Sequence, residues 1–208
     1  MSDRSTHATV LGQLGLRAWR SYELVKEMRR NLHYFWPRAE SRIYATLKSL
    51  DASGLARSET VHTGARAASV WQATPEGQAA FEAWLDEDPA PTTLDCEALA
   101  RLFLAPGPGH PGARRAVDAI AAEADELLQV ARQIAQEYDE GRAPFQDRVR
   151  VRALVFDFLV SWADMRRAWA ARAAALLDEL DGLPDADIDA RALAYLRARR
   201  DALGLRPR

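Results

Sequence analysis

Residues 37–77 read PRAESRIYATLKSLDASGLARSETVHTGARAASVWQATPEG. Pro37 suits the first position of a helix, because its missing N–H is one that a helix start leaves unbonded anyway. Ile43, Leu47 and Leu50 then fall at i, i+4 and i+7, the spacing of one buried helical stripe. Arg38, Ser41, Arg42, Ala45 and Ser49 are expected to share a more polar face. This helix should run from Pro37 to about Ser53, with Gly54 as its stop. Leu55 to Thr63 carries β-branched residues in rough alternation, Thr63 to Ala67 reads as a hairpin tip, and Ser69 to Ala73 as the return strand. Thr74-Pro75 then caps and starts another helix, whose apolar side is Ala80, Phe81, Trp84 and Leu85. Helix, stop, basic hairpin and helix start, in that order, make the plan of a winged helix.

Outward from this stretch the chain is helical by pattern. A first helix is expected over Ala8–Leu16. Ser21 is the expected N-cap of a second, Tyr22–Asn31, with Leu24, Val25 and Met28 inside and Glu23, Lys26, Glu27 and Arg30 outside. His33 to Trp36 is an aromatic loop. Beyond the winged helix, Asp86 to Thr93 has two prolines and three acids and marks a boundary. A helix over about Leu94–Leu104 precedes Pro106 to Gly112, which reads as non-helical linker. Two long helices follow, Arg114–Asp139 and Arg148–Leu180. The first carries Val117, Ile120, Ala124, Leu127, Leu128, Ala131, Ile134 and Tyr138. The second carries Val151, Val155, Phe158, Trp162, Met165, Trp169, Ala173, Leu176 and Leu180. Steps of three and four sustained so far predict a coiled-coil-like seam. Gly182 and Pro184 end the second helix, and a last one covers about Asp187–Leu203. The expected fold is mainly α with a small β-hairpin wing: an N-terminal winged helix-turn-helix DNA-binding domain (1–85), a linker with a short helix (86–112) and a C-terminal long-helix dimerisation domain (113–208).

Composition narrows the function. Of 208 residues, 48% are hydrophobic, enough for a real core. The net charge of −2 hides an asymmetry. Residues 1–84 hold 11 Lys+Arg against 8 Asp+Glu, a net +3, and the remainder holds 17 against 22, a net −5. A basic half joined to an acidic half suggests that the first half approaches a polyanion. The lone Cys96 fits a reducing compartment and suits a small buried hydrophobe better than a reactive thiol. The polar start, Met1 to His7, lacks the apolar core of a signal peptide, and Ala153–Ala163 is too short to span a bilayer. These features predict a cytoplasmic protein with no membrane partner.

Enzyme chemistry finds no support in the sequence. His7, His33, His62 and His110 are isolated from one another and from Cys96, so no metal-ligand spacing is present. There is no phosphate-binding glycine loop, no nucleophile elbow and no His-Glu-x-x-His. Asp157 and Asp164, seven apart, suit salt bridges to Arg152, Arg166 or Arg167 better than acid–base work. No cofactor is called for.

Binding to double-stranded DNA is the better reading. A helix enters the major groove when its outward face is narrow, small and rich in donors. Arg38 and Arg42 are such donors, Ala45 permits close approach, and Lys48 and Tyr44 are expected at the flanks, where phosphates lie. Arg66 on a narrow tip beside Gly64 suits the minor groove. The competing reading is a winged helix used as a protein-interaction module, with these side chains serving only solubility.

The residues that carry a family resemblance are Val10-Leu11-Gly12-Gln13-Leu14, Ser21-Tyr22-Glu23-Leu24, Ile43-Tyr44-Ala45-Thr46-Leu47-Lys48-Ser49-Leu50, Gly54-Leu55 and Trp71-Gln72-Ala73-Thr74-Pro75-Glu76-Gly77. Over residues 8–85 the chain resembles the PadR-like winged-helix transcriptional regulators. It departs from that family at Ala45, where proline is usual, at Arg20-Ser21, which replaces a common His-Gly, and at the tip, with one arginine where two basic residues are frequent. The resemblance implies a homodimeric repressor that binds an inverted-repeat operator and leaves it when a small aromatic or lipophilic effector binds. It implies Tyr22, Tyr44, Lys48 and Arg66 as DNA contacts, to which the reading of the residues themselves adds Arg38, Ser41 and Arg42. Trp19, Trp36, Trp162 and Trp169 suit core and dimer packing better than an effector pocket, since Trp162 and Trp169 keep the seam's own spacing.

Overall fold

A computed structural model describes residues 3–63 and 66–204. The chain divides into two compact units, residues 1–93 and 94–208.

The N-terminal unit runs α1 (Asp3–Leu16), β1 (Trp19–Arg20), α2 (Ser21–Leu32), α3 (Glu40–Ala52), β2 (Ala56–Thr63), β3 (Arg66–Ala73) and α4 (Pro75–Leu85). Its core is the set of periodic residues: Val10, Leu11 and Leu14 of α1, Leu24, Val25 and Met28 of α2, and Ile43, Leu47 and Leu50 of α3 are all buried. Each such aliphatic side chain contributes about 1.5–3 kcal/mol of burial. The strands form an antiparallel sheet in the order β1-β3-β2, with Ala56 opposite Ala73 and Trp19 opposite Trp71. Trp19 and Trp71 close the sheet side of the core. The indole N–H of Trp19 donates to the Gln13 carbonyl at 2.8 Å, which lets a large ring be buried without an orphaned donor.

Two joints hold this unit in register. Ser53, Gly54 and Leu55 close α3: Leu55 N–H donates to Leu50 O at 2.9 Å and Gly54 N–H to Asp51 O at 3.0 Å, with Gly54 at φ +73°. That pairing is a Schellman motif, and its left-handed residue favours glycine. Thr74 then locks α4 to the same corner. Its hydroxyl accepts from Gly77 N–H at 3.1 Å and donates to Gly54 O at 2.8 Å, while its own N–H donates to Leu55 O at 3.1 Å.

In the second unit α5 (Glu97–Phe103) packs against α6 (Pro111–Asp139) and α7 (Val149–Leu180), and α8 (Asp185–Ala202) follows. A 3₁₀ turn over Gln146–Arg148 leads into α7. Helices α6 and α7 run antiparallel: Arg114 pairs with Asp178, Glu123 with Arg166, and Tyr138 with Arg152. Val117, Ile120 and Ala170 form the centre of this packing, with Leu99, Leu102, Trp169, Ala173 and Leu177 around them. Cys96 also packs against this cluster, as expected of a small hydrophobe. No helix of the described residues is long and apolar enough to cross a membrane.

Several expectations are corrected. Helix α1 already holds residues 3–7, because Thr6 is buried against the rest of the unit. Ser21 is not an N-cap: Arg20 occupies that position, and Ser21 Oγ instead accepts from Trp71 Nε1 at 2.8 Å. Glu27 does not face solvent; it is buried and accepts from Asn31 Nδ2 at 2.6 Å. Strand β1 was not visible as a pattern because two residues carry no periodicity. The return strand starts at Arg66, three residues before the expected Ser69. Helix α5 starts at Glu97, three residues later than expected. Pro106 to Gly112 is not wholly non-helical, since α6 starts at Pro111 with His110 as its N-cap, Nδ1 accepting from Gly112 N–H at 3.0 Å. Proline is tolerated in a first helical turn, which a rule against helical proline overlooks.

The seam needs a fuller correction. Helix α6 does bury its stripe, but α7 meets it with only part of the expected one, through Trp169 and Ala173, while Leu180 is buried at its end. The other α7 residues in this packing lie off that stripe: Ala163 and Ala170 are buried, and Ala174 and Leu177 join them. Val151, Val155, Phe158 and Met165 are exposed. Helix α7 therefore has two apolar faces, and the alanine-rich one packs within the chain because small side chains let the helix axes approach.

Candidate nucleic-acid interface

Helix α3 starts later than its proline suggested. Pro37, Arg38 and Ala39 are extended or irregular, and Ala39 is the N-cap of a helix that begins at Glu40. A side chain at the N-cap cannot serve here, since alanine has no acceptor. Glu40 Oε1 instead accepts from Arg29 Nη1 of α2 at 2.7 Å, tying the first turn of α3 to its neighbour.

The face that α3 turns to solvent is then well defined. Ile43, Thr46, Leu47 and Leu50 are buried, and Ser41, Arg42, Tyr44, Ala45, Lys48 and Ser49 are exposed. A step of about 100° per residue puts Ser41, Ala45 and Lys48 along the line opposite the core. Tyr44 lies to one side of that line, and Arg42 and Ser49 to the other. Lys48 is thus central and not at a flank. Ser49 Oγ also lies 3.0 Å from His7 Nε2, so this edge of the face borders α1. Ser41 and Ala45 beside Lys48 at the centre, with Arg42 at one edge, leave room for close approach to a duplex, and both basic groups can donate to phosphate or to base edges.

Tyr22, 69% exposed, stands in the first turn of α2 directly after β1. The hairpin of β2 and β3 follows α3 in the chain and projects as the wing. On its strands Arg57 lies 4.0 Å from Glu59 and donates to Gln72 at 3.3 Å. The backbone of Arg66 opens β3. Gly64, Ala65 and the Arg66 side chain, the expected minor-groove probe, lie outside the described residues.

Arg38 is the residue whose placement differs most from expectation. It lies before α3 and not on its polar face. Its guanidinium stacks 4.0 Å above the Trp36 ring, Nε donates to Thr6 Oγ1 at 3.3 Å and Nη1 donates to the Pro37 carbonyl at 2.6 Å. Partial burial holds its pKa below the ordinary arginine value. The period-3.6 reading placed Arg38 three residues before Ser41 on one helix. It failed because the residues preceding Glu40 are not helical.

In the second unit, Asp164 pairs with Arg167 at 2.9 Å, a salt bridge as expected. Arg166 departs from expectation: it pairs with Glu123 of α6 and stacks 4.6 Å over Trp162. Trp169 packs in the α5–α6–α7 core.

A three-helix unit with an exposed, donor-bearing third helix and an antiparallel wing defines a winged helix-turn-helix domain. Residues 10–83 match the model of the transcriptional regulator PadR-like family. The winged-helix domain of this chain is thus similar to that family of transcriptional regulators. No curated protein matches the chain in sequence. Among solved structures, the PadR-like regulator BC1756 of Bacillus cereus is similar with a TM-score of 0.71 at 15% identity, over 85% of this chain and 99% of that one. PadR of Bacillus subtilis in complex with operator DNA gives a TM-score of 0.62 at 19% identity, over 82% and 96%. The same protein with p-coumaric acid gives 0.56 at 18%, over 86% and 98%. The Vibrio cholerae virulence activator AphA gives 0.62 at 21%, over 84% and 99%. These likenesses extend the shared fold into the C-terminal helices.

Proposed function

We propose that this regulator is a homodimer that binds an inverted-repeat operator in double-stranded DNA, acts as a repressor and is released by a small aromatic or lipophilic ligand. The observation that carries the DNA reading is the outward face of α3, where Ser41, Arg42, Tyr44, Ala45 and Lys48 stand exposed beside a wing. Arg42 is assigned to a base edge or phosphate and Lys48, Tyr44 and Tyr22 to the backbone; Ser41 is small enough to approach base edges, and Arg66 is assigned to the minor groove. The operator complex and the p-coumaric acid complex of the Bacillus subtilis neighbour support the two ligand classes. The exposed apolar stripe of α7 supports the dimer. Two winged helices related by a two-fold axis reach half-sites about one helical turn, roughly 34 Å, apart.

Selection of bound duplexes from random or genomic DNA by the purified protein, at near-physiological salt, tests this reading. The expected result is an inverted repeat with half-sites about ten base pairs apart. Recovery of no motif, with retention on heparin unaltered by removing Arg42 and Lys48, would instead indicate a protein-interaction module.

Two substitutions separate the roles within the face. Arg42→Ala is expected to cost about 1–3 kcal/mol on the preferred sequence and to relax preference at one position. Lys48→Ala is expected to weaken all sequences alike and to reduce the slope of log K against log salt by about 0.9. Competition titrations over a salt series measure both.

A further inference from the structure

We propose that Arg38 is a positioning residue that sets the entry of α3, and that it does not itself touch DNA. Its surroundings form a chain of contacts from α1 to α2. Thr6 of α1, buried, accepts from Arg38 Nε. The guanidinium lies 4.0 Å above the Trp36 ring, and the backbone N–H of Trp36 donates to Leu32 O at the end of α2 at 2.6 Å. The next residue, Ala39, accepts the first two bonds of α3, from Arg42 N–H at 3.0 Å and Ile43 N–H at 3.3 Å. An alanine N-cap provides no side-chain acceptor, so the start of α3 lacks the usual local lock. Arg38, one residue earlier, supplies it by fastening the incoming chain to two other helices. A guanidinium whose face is stacked and whose donors serve a threonine and a carbonyl has lost the open fork that grips phosphate.

The inference deepens the DNA-binding reading, yet its first test does not depend on it. Amide hydrogen exchange is measured on the free protein for wild type, Arg38→Ala, Arg38→Lys and Arg42→Ala. Loss of a stacked cation and its hydrogen bond is expected to speed exchange at Arg42 and Ile43 about tenfold in both Arg38 variants and to leave it unchanged in Arg42→Ala. Unchanged exchange in the Arg38 variants would overturn the proposal. Because Arg38→Lys keeps the charge, it also answers for a poorly folded alanine variant.

The second test uses the duplex that wild type selects. A positioning role predicts weaker binding by both Arg38 variants, about tenfold, at an unchanged salt slope. A phosphate contact predicts that Arg38→Ala flattens the slope by about 0.9 and that lysine restores it, and this result overturns the proposal. If wild type selects no duplex, the DNA reading fails while the exchange result still decides the role of Arg38.

Discussion

Replacing Phe158 and Met165 with aspartate is expected to convert a dimer into a monomer and to lower operator affinity by about a hundredfold or more. Phe158 is 64% exposed and Met165 54% exposed, and both lie on the same stripe of α7 as Val151 and Val155. These four residues form the exposed first half of the stripe, before Trp169 and Ala173 join the packing with α5 and α6, so the two charges remain hydrated in an isolated chain and the helical packing is retained. In a two-fold assembly they would instead be buried against their own copies without a partner, which costs several kcal/mol per site. Operator affinity follows, because linking two half-site readers raises apparent affinity by about 10²–10⁴ over one. Sedimentation at matched concentration and operator titration measure the two effects, with circular dichroism as the control for helix content. A variant that stays dimeric would exclude this stripe from the interface.

Gly77→Ala is expected to destabilise the winged helix by about 3 kcal/mol or more, the range of severe overpacking. A Cβ at position 77 would stand 1.9 Å from the Leu55 carbonyl oxygen and 3.0 Å from Leu11 Cδ2. The first of these is backbone, and it is already held by the Thr74 N–H. It cannot yield without breaking the corner that joins α3, β2 and α4. Gly54→Ala is the informative comparison. It meets nothing within 4 Å, so its cost is the left-handed backbone alone, about 1 kcal/mol. Urea unfolding followed by tryptophan fluorescence should show the larger fall in midpoint for position 77. Equal falls would mean that the corner relaxes around the added methyl group.

That pair of glycines also shows how far the sequence could be read. Gly54-Leu55 and Thr74-x-x-Gly77 stood out as separate signatures about twenty residues apart. In the folded chain they are one joint, with the carbonyls of residues 54 and 55 receiving the hydroxyl and N–H of Thr74. The contact itself left no periodic trace, because it is made by backbone atoms that every residue shares. The helices of the first unit were legible for the opposite reason. Burial of one side of a 3.6-residue repeat writes itself into side-chain choice, and Ile43, Leu47 and Leu50 carry that record.

The candidate interface was legible to the same degree. Ser41, Arg42, Tyr44 and Lys48 follow from the helix period once the buried stripe is known. Arg38 does not, because charge type and spacing look alike on a helix and in the segment before it. Its stacking on Trp36 and its bond to Thr6, 32 residues away, are tertiary facts.

The sequence by itself determined the order of elements, the buried faces of the first three helices, the wing and the family resemblance of the N-terminal domain. All of these rest on local periodicity, on turn residues and on short motifs. Only the tertiary structure decided which of the two apolar faces of α7 packs within the chain. A helix with two apolar faces satisfies the same pattern either way. The choice falls to shape: the alanines at 163 and 170 let α7 lie close against α6, and this leaves the bulkier Val151, Val155, Phe158 and Met165 for the solvent side.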